Sequence, residues 1–360
     1  MDELKSFVIS KYATALHPDD FMIEKLFGQA SARQYFRAKL VRPETTVLPM
    51  PSDTGSFVIM KMPQGFASPA EEITKVAPGA PQEFPFLNMQ RYLKGLDLRV
   101  PEVLASDAQK GLVLLEDLGD HSLENLVKEA DGNFFIFYYK KVIDLLIEMQ
   151  ERTQANPAKD CIAYYRKFTE ELLNWEFMHF LDYGIEDRHK IKVSNALRNA
   201  FQDKATEISK KICEMPQGFT HRDFQSRNVM FKNYNFFLID FQDALVGPVL
   251  YDLVGLLRDS YIIFTQDHLH MLLEYYYERL PKTHPYHGRL VDLKNDFHMV
   301  ALQRKLKDTG RFQYIATVKN NAGFLPHVPL SLVYVRLAFA ALPEYDGLRT
   351  LIAEHIEELR

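Results

Sequence analysis

The sequence predicts an α+β protein in two parts, a small N-terminal part built mainly of strands and a larger helical C-terminal part. Three observations lead to this prediction. Short apolar runs separated by turn residues fill residues 28–118. Apolar residues recur at helical spacing from residue 123 to residue 211, and again after residue 244. Between these helical stretches, residues 221–244 hold two short strand-like runs and a concentration of polar side chains.

The composition limits the classes of protein to which the chain could belong. The chain has 360 residues, 47% hydrophobic and 25% charged, which suits a globular protein of two domains. Its net charge of −5 lacks the basic excess of a nucleic-acid binder. Two cysteines are too few for a disulfide framework or a four-cysteine zinc site. The N-terminus does not resemble a signal peptide, and the apolar run 330–342 is short and interrupted by Arg336. We therefore expect a cytoplasmic protein without nucleic-acid or membrane partners.

The elements of the N-terminal part follow from local patterns. Gly, Pro and polar clusters separate them, and residues 63–82 are predicted to form a loop. In order, the predicted elements are a helix over residues 1–27, strands near 35–41 and 57–62, a helix ending near Gly95, and strands at 101–105 and 111–115. Asp120 and Ser122 can cap a helix that begins near Leu123. The predicted domains are therefore residues 1–115 and 120–360, joined by a hinge at 116–119.

Residues 221–244 read HRDFQSRNVMFKNYNFFLIDFQDA. The runs VMF and FFLI predict two strands, and KNYN between them has the composition of a turn, so an antiparallel hairpin is expected. Asn228 directly precedes the first strand and Asp240 directly follows the second, which places both at one end of the hairpin. Amide and carboxylate oxygens are suitable ligands for Mg²⁺. Asp223 lies in the loop that leads into the hairpin.

The spacing H-R-D-x-x-x-x-N followed by a metal-binding Asp is the phosphoryl-transfer set of kinases. In this interpretation Asp223 accepts the proton of an attacking hydroxyl, while Asn228 and Asp240 hold Mg²⁺. The alternative is a polar turn without a catalytic role, because a lone H-x-D is common. The complete set around a hairpin of suitable length favours catalysis. It predicts a protein-kinase-like two-lobed fold with a small β-rich N-lobe and a larger helical C-lobe.

A kinase N-lobe should bind ATP. Lys61, at the end of a predicted strand, would pair with the phosphates. Glu83 is the preferred glutamate partner of Lys61, with Glu71 and Glu72 as alternatives. Ser31, in the loop that begins at Gly28, would contact phosphate oxygens, although a plain turn is equally compatible with a single glycine.

The predicted hinge would bind adenine through the backbone of Glu116 and Leu118. The acceptor is expected to be a small molecule rather than a protein. The chain has no G-x-G-x-x-G, no D-F-G and no A-P-E, and only eleven residues separate Asp240 from Asp252, too few for a usual activation segment.

The stretches GFTHRDFQSRNVM and FLIDFQDALVGPVLYDLVGLLRDSY resemble the aminoglycoside phosphotransferase family of protein-kinase-like small-molecule kinases. GQASARQYFR, VPEVLASDAQKGLVLLEDLGD and ALQRKLKDTGRF are similar, more narrowly, to bacterial cell-wall sugar kinases that phosphorylate the anomeric hydroxyl of N-acetylmuramate and N-acetylglucosamine. The resemblance implies ATP- and Mg²⁺-dependent phosphorylation of a sugar hydroxyl. It implies Asp223 as the base, Asn228 and Asp240 as metal ligands, and Asp252 as a buried support of the catalytic loop that contains His221.

The acceptor is less clearly indicated. Polycationic aminoglycosides need acidic side chains, whereas the carboxylate of N-acetylmuramate suits a cation, and the helical stretches offer both an acidic run (170–187) and a basic run (304–319). Such runs are more often solvated helix faces. The preferred acceptor candidates are Gln242, Asp243, Arg258, Asp259 and Trp175. An aminoglycoside kinase, a homoserine- or choline-type kinase and a nucleotide-binding pseudokinase scaffold remain alternatives.

Overall fold

The computed structural model describes residues 1–11, 17–26, 33–41, 55–62 and 74–360. The chain forms two compact units. Unit 1 comprises Met1–Glu71, Gln82–His121 and Met230–Gln242, and unit 2 comprises Glu72–Pro81, Ser122–Val229 and Asp243–Arg360. Three residues proposed from the sequence, Ser31, Glu71 and Glu72, lie outside the described residues, as does the loop that begins at Gly28.

Unit 1 is built on a five-stranded antiparallel sheet with the strand order β1-β2-β3-β5-β4. Its elements are α1 (Asp2–Lys11), β1 (Phe21–Leu26), β2 (Gln34–Leu40), β3 (Ser56–Lys61), α2 (Pro85–Gly95), β4 (Val103–Asp107) and β5 (Leu112–Glu116). Buried side chains of α1, such as Phe7, join those of the strands, such as Phe57 and Leu114, in one apolar core. The core thus includes β5, the strand that directly precedes the predicted hinge.

The prediction of helix through residue 27 is wrong for its last part. Residues Phe21–Leu26 form β1, whose partners run from Phe21↔Leu40 to Leu26↔Tyr35 in the neighbouring strand. Pro18 opens a short 3₁₀ turn before the strand, and proline has no N–H to continue a helix. Backbone pairing with β2 then determines the conformation.

The hairpin predicted after Asn228 is confirmed. It consists of β7 (Val229–Lys232) and β8 (Asn235–Leu238), which form a two-stranded sheet. Asn233 and Tyr234 between them have φ values of 49° and 62°. Positive φ at both central residues is characteristic of a type I′ turn, whose twist suits a tight hairpin.

Unit 2 is mostly helical, and its longest helix is α9 (Leu290–Thr317). Its helices are α3 (Leu123–Glu129), α4 (Gly132–Ala155), α5 (Glu170–His179), α6 (Asn195–Glu214), α7 (Tyr251–Leu257), α8 (Gln266–Arg279), α9 (Leu290–Thr317), α10 (Val328–Ala341) and α11 (Asp346–Ala353), and a π-helical segment, Phe180–Asp187, follows α5. Ser122 caps α3 by accepting a hydrogen bond from the Asn125 N–H, as predicted.

Two strands of unit 2 are absent from the sequence prediction. They are β6 (Gln217–Thr220) and β9 (Leu245–Pro248), which pair antiparallel from Gln217↔Pro248 to Thr220↔Leu245. Each has only four residues and contains a glycine, which weakens a strand pattern. The pair matters for the site because β6 ends directly before His221.

By length and composition alone, Ala322–Ala341 could cross a membrane. Its helical part, α10, instead buries Leu332, Val335 and Phe339 and packs against α9.

Candidate active site

The loop after β6 is fixed by a buried carboxylate from α7. Asp252 is 2% exposed, and its two oxygens accept hydrogen bonds from the backbone N–H groups of His221 (2.7 Å) and Arg222 (2.9 Å). Burial raises the pKa of Asp252 to about 7, against the opposing effect of the two N–H donors. The loop therefore starts from a position that is locked through its backbone.

Arg222 stores strain in this loop. Its φ is +77°, an uncommon conformation for a residue with a side chain. Its buried guanidinium lies 3.4 Å from a carboxylate oxygen of Glu176 in α5, and Gln303 donates a hydrogen bond to the other oxygen. Strained backbone persists where the surrounding contacts over-determine it, which is common at functional sites.

Asp223 follows Arg222 and is partly exposed. Its side chain is 35% exposed, whereas Asn228 is only 1% exposed. The Asn228 side-chain N–H₂ donates to the backbone carbonyl of Asp223 at 2.9 Å. This bond orients the amide of Asn228 and closes the loop around Asp223.

A second buried carboxylate supports the next part of the loop. Asp259 is 1% exposed and accepts hydrogen bonds from the N–H groups of Ser226 (2.8 Å) and Tyr261 (3.0 Å). The structure thus places this acceptor candidate beneath the loop, where it acts on backbone groups.

The sequence placed Arg304 only in the basic run 304–319, and the structure shows that α9 brings its side chain to the same loop. Its Nη1 donates to the carbonyl of Arg222 at 2.6 Å, and its Nη2 lies 3.8 Å from Oδ1 of Asp223. Arg304 and the adjacent Lys305 are 2% and 1% exposed, so this part of the basic run is not a solvated face. The only sequence signal was their position in ALQRKLKDTGRF.

Asp240, the second predicted metal ligand, belongs to unit 1. Its φ is +63°, and its Oδ1 accepts a hydrogen bond from Gln242 at 3.0 Å and lies 3.5 Å from Arg33. The next residue, Phe241, is fully buried and stacks on Phe86 of α2 at 5.0 Å. Gln242, which the sequence predicts to bind the acceptor, therefore contacts a candidate metal ligand.

Lys61 has a different acidic partner from the one expected. Its Nζ lies 2.6 Å from a carboxylate oxygen of Glu3 in α1, and both side chains are substantially exposed. Glu83 instead accepts hydrogen bonds from Asn88 (2.9 Å) and Arg91 (2.6 Å). The Lys61–Glu83 pair is not seen in the structure.

The predicted hinge contains a buried ion pair that the sequence did not reveal. Arg37 in β2 is 6% exposed and contacts Asp117 through Nε (2.7 Å) and Nη2 (3.0 Å). Its Nη1 bonds to Asp120 at 2.8 Å. Lys232 of the hairpin reaches Glu116 at 2.7 Å and the carbonyl of Asp117 at 3.0 Å. Both ends of the segment 116–120 are therefore held by side chains of unit 1.

The remaining acceptor candidates are dispersed in unit 2. Arg258 is 1% exposed, its guanidinium lies 5.0 Å from the centre of the Tyr334 ring, and burial lowers its pKa to about 10. Trp175 is half-buried and stacks on His179 at 5.1 Å. Asp243 is partly exposed. Nothing in these contacts links Arg258 or Trp175 to the loop around Asp223.

The two predicted metal ligands, each taken by itself, offer an oxygen that suits Mg²⁺. Because the N–H₂ group of Asn228 bonds to the loop carbonyl, its oxygen points the other way, and an amide oxygen is a hard ligand. The carboxylate of Asp240 is a second hard oxygen donor. Both are oxygen ligands of the kind that this cation binds, and neither side chain is a soft ligand that would select another metal.

A family model described as "Phosphotransferase enzyme family" matches residues 29–287. A protein of Pseudomonas aeruginosa named N-acetylmuramate/N-acetylglucosamine kinase is 27% identical over 270 residues, which cover 75% of this chain and 77% of that protein. A protein of the same name from Neisseria meningitidis is 25% identical over 356 residues, covering 98% of this chain and 96% of its own. The crystal structure of a choline kinase from Cryptosporidium parvum superposes with a TM-score of 0.62 at 10% identity and covers 96% of both chains. The predicted α+β, protein-kinase-like fold class is confirmed by this likeness.

Proposed function

The chain belongs to the phosphotransferase enzyme family, and from this premise we propose that it is an ATP- and Mg²⁺-dependent sugar kinase. The proposed acceptor is the anomeric hydroxyl of N-acetylmuramate or N-acetylglucosamine. The two relatives compared above carry these sugars in their names, and one of them matches nearly the whole chain. We also propose a cytoplasmic location, where ATP is available.

One observation carries the proposal. Asp223 presents a partly exposed carboxylate from a loop whose backbone is fixed by buried side chains, among them Asp252 and Asn228. A polar turn without a catalytic role would not need buried carboxylates to hold its backbone. A kinase does need this arrangement, because phosphoryl transfer depends on positioning rather than on covalent chemistry of the protein.

In the proposed reaction, Asp223 accepts the proton of the sugar hydroxyl. The sugar oxygen forms a bond to the γ-phosphorus, the bond from that phosphorus to the β,γ-bridging oxygen breaks, and ADP leaves. Asn228 and Asp240 would hold Mg²⁺, which neutralises phosphate charge when bound. Arg222 and Asp252 keep the base in place through the loop backbone.

Adenine would bind to the backbone at 116–119. Within the described residues, the N–H and carbonyl of Leu118 make no hydrogen bond, so both can serve a ligand. The Arg37–Asp117 pair holds the adjoining backbone, since Asp117 also accepts from the N–H of Gly119 at 2.9 Å. The phosphates would bind Lys61, whose ammonium is partly exposed and, among the described residues, pairs with the surface residue Glu3.

The test is ADP release with ATP and Mg²⁺ in the presence of each candidate acceptor. The panel contains N-acetylmuramate, N-acetylglucosamine, their 1-O-methyl glycosides, kanamycin and choline. We expect turnover with the two free sugars and none with the glycosides, because the methyl group blocks the reacting hydroxyl. Asp223→Asn is the control for a contaminating kinase.

Other outcomes of the panel would redirect the assignment. Turnover with the glycosides would contradict the anomeric position. Turnover with kanamycin or choline alone would reject the sugar acceptor. No ADP release with any acceptor would support the pseudokinase alternative.

A further inference from the structure

Arg304 is buried against the catalytic loop, whereas Asp223 is partly exposed. Its side chain is 3% exposed, compared with 35% for Asp223. It makes one short hydrogen bond, from Nη1 to the carbonyl of Arg222 at 2.6 Å. Its Nη2 is 3.8 Å from Asp223 Oδ1, which is too long for a hydrogen bond but short for opposite charges. The guanidinium thus reaches both the base and the peptide that precedes it.

The surrounding residues fix the guanidinium in this position. It lies over the ring of Tyr251, with its central carbon 4.7 Å from the ring centre. Gly255 of α7 lies beside it, and a Cβ there would make ordinary contacts of 3.4 Å with the central carbon and Nη2 of Arg304. The same Cβ would lie 2.8 Å from the carbonyl of Phe224 in the loop. A glycine is therefore required where α7, the loop and Arg304 meet.

The peptide that Arg304 holds is the strained one. Asp252 binds the N–H of Arg222 and Arg304 binds its carbonyl, so the residue with φ +77° is held from both sides. Asp223 is the next residue, so a rotation of this peptide would move its side chain directly. Asp252 alone restrains only the N–H side.

We propose that Arg304 is a positioning residue for Asp223, which fixes the carbonyl of Arg222 and attracts the Asp223 carboxylate into the orientation used for catalysis. This inference rests on the proposed function of Asp223 as the base. It adds a residue from α9, 81 positions along the chain from the base, to the catalytic apparatus.

The proposal predicts that loss of Arg304 lowers turnover but leaves ATP binding intact. Loss of Arg304 should misplace the base without removing any group that binds ATP. A misplacement of about 1 Å costs roughly 100-fold in rate. We therefore expect Arg304→Met to lower kcat by about 100-fold, with KM for ATP unchanged within about threefold. Arg304→Lys keeps the charge but cannot reach both groups, and it should retain an intermediate kcat.

A purely structural role is distinguished by one control variant and by chemical rescue. Arg188→Met removes another partly buried arginine of unit 2, which pairs with Glu358 at 2.5 Å, and should lower thermal stability while leaving kcat unchanged. Millimolar guanidinium should partly restore kcat to Arg304→Ala and not to Asp223→Ala.

ADP release is measured for all variants with N-acetylmuramate and also without a sugar, where water is the acceptor. Full kcat in folded Arg304→Met would overturn the role of Arg304 while leaving the sugar kinase intact. If the wild-type protein hydrolyses ATP but transfers to no sugar, the proposed acceptor fails, and the hydrolysis rates of the variants still decide the role of Arg304. No release of ADP by the wild-type protein would overturn both.

Discussion

Replacing Asp117 by asparagine should loosen unit 1 far more than replacing Asp120, although Arg37 bonds to both carboxylates. The side chain of Asp117 is 3% exposed and that of Asp120 is 78% exposed. Burial raises the pKa of Asp117, but hydrogen bonds from Arg37 and Ser56 outweigh it and hold the pKa below its ordinary value. The folded state therefore depends on an ionised Asp117.

The size of the effect follows from burial. Breaking a buried ion pair costs about 3–5 kcal/mol, whereas an exposed pair is worth about 0–1 kcal/mol. In Asp117→Asn, the amide oxygen can still accept one of the bonds from Ser56 or Gly119. We therefore expect a loss of about 3 kcal/mol, at the lower end of the range. Asp120→Asn should cost less than about 1 kcal/mol.

Hydrogen–deuterium exchange is the appropriate assay because the only tryptophan, Trp175, lies in unit 2. A loss of 3 kcal/mol corresponds to roughly 150-fold faster exchange for the backbone amides of β3 and β5 that open with unit 1. Asp120→Asn should accelerate the same amides less than about fivefold. Equal acceleration in the two variants would refute the argument from burial, and so would protection that is unchanged in Asp117→Asn.

Three further predictions concern unit 2. Asp223→Asn should lower kcat by about 10²–10⁴-fold, which is the usual contribution of a general base. The affinity for ATP, measured by calorimetry, should not change. Normal turnover would contradict the assignment of Asp223 as the base. Burial lowers the pKa of His284 to about 4, below its ordinary value near 6.5. As the pH falls, the unfolded chain therefore takes up the proton before the folded protein does. The free energy of unfolding should decrease between pH 6.5 and pH 4. Urea unfolding should show about 2 kcal/mol less stability at pH 5 than at pH 7 from this residue, and His284→Asn should remove that difference; an unaltered pH dependence would contradict the cause. Gly310→Ala should lower the free energy of unfolding in urea by about 1–3 kcal/mol, because the new Cβ would lie 2.7 Å from the carbonyl oxygen of His179. Gly347→Ala is the control and should not lower it, because no atom lies within 4 Å of a Cβ there.

The parts of the site that the sequence predicted are local in the chain. The hairpin β7–β8 could be predicted because two short apolar runs flank a turn, and its Asn233 and Tyr234 adopt the positive φ values of a tight turn. The end of α2 at Gly95 and the start of α3 after Ser122 also follow from single residues at helix ends. In each case the contacts that determine the element join residues only a few positions apart in the chain.

The parts that were missed depend on distant partners. Strand β1 forms because it pairs with β2, and β6 forms because it pairs with β9, about 28 positions further on. The partner of Asp117 lies 80 positions away at Arg37. Local patterns do not specify which backbone or carboxylate will meet which segment, so neither a strand pairing nor a buried ion pair could be derived from them.

Arg304 shows why a charged residue in a helix is difficult to interpret. The pattern rules treat a charged residue as polar, and therefore as part of the solvated face. Burial of a cation is tolerable when fixed partners satisfy it. For Arg304 the partner is a carbonyl 82 positions earlier in the chain, and for Lys305 it is Ser260 together with Asp308 one turn ahead. The i,i+3 pair of Lys305 and Asp308 is visible in the sequence, but exposed helices show such pairs too. Only the position of α9 beneath the loop distinguishes a buried cation that acts on the base from a cation that contacts water.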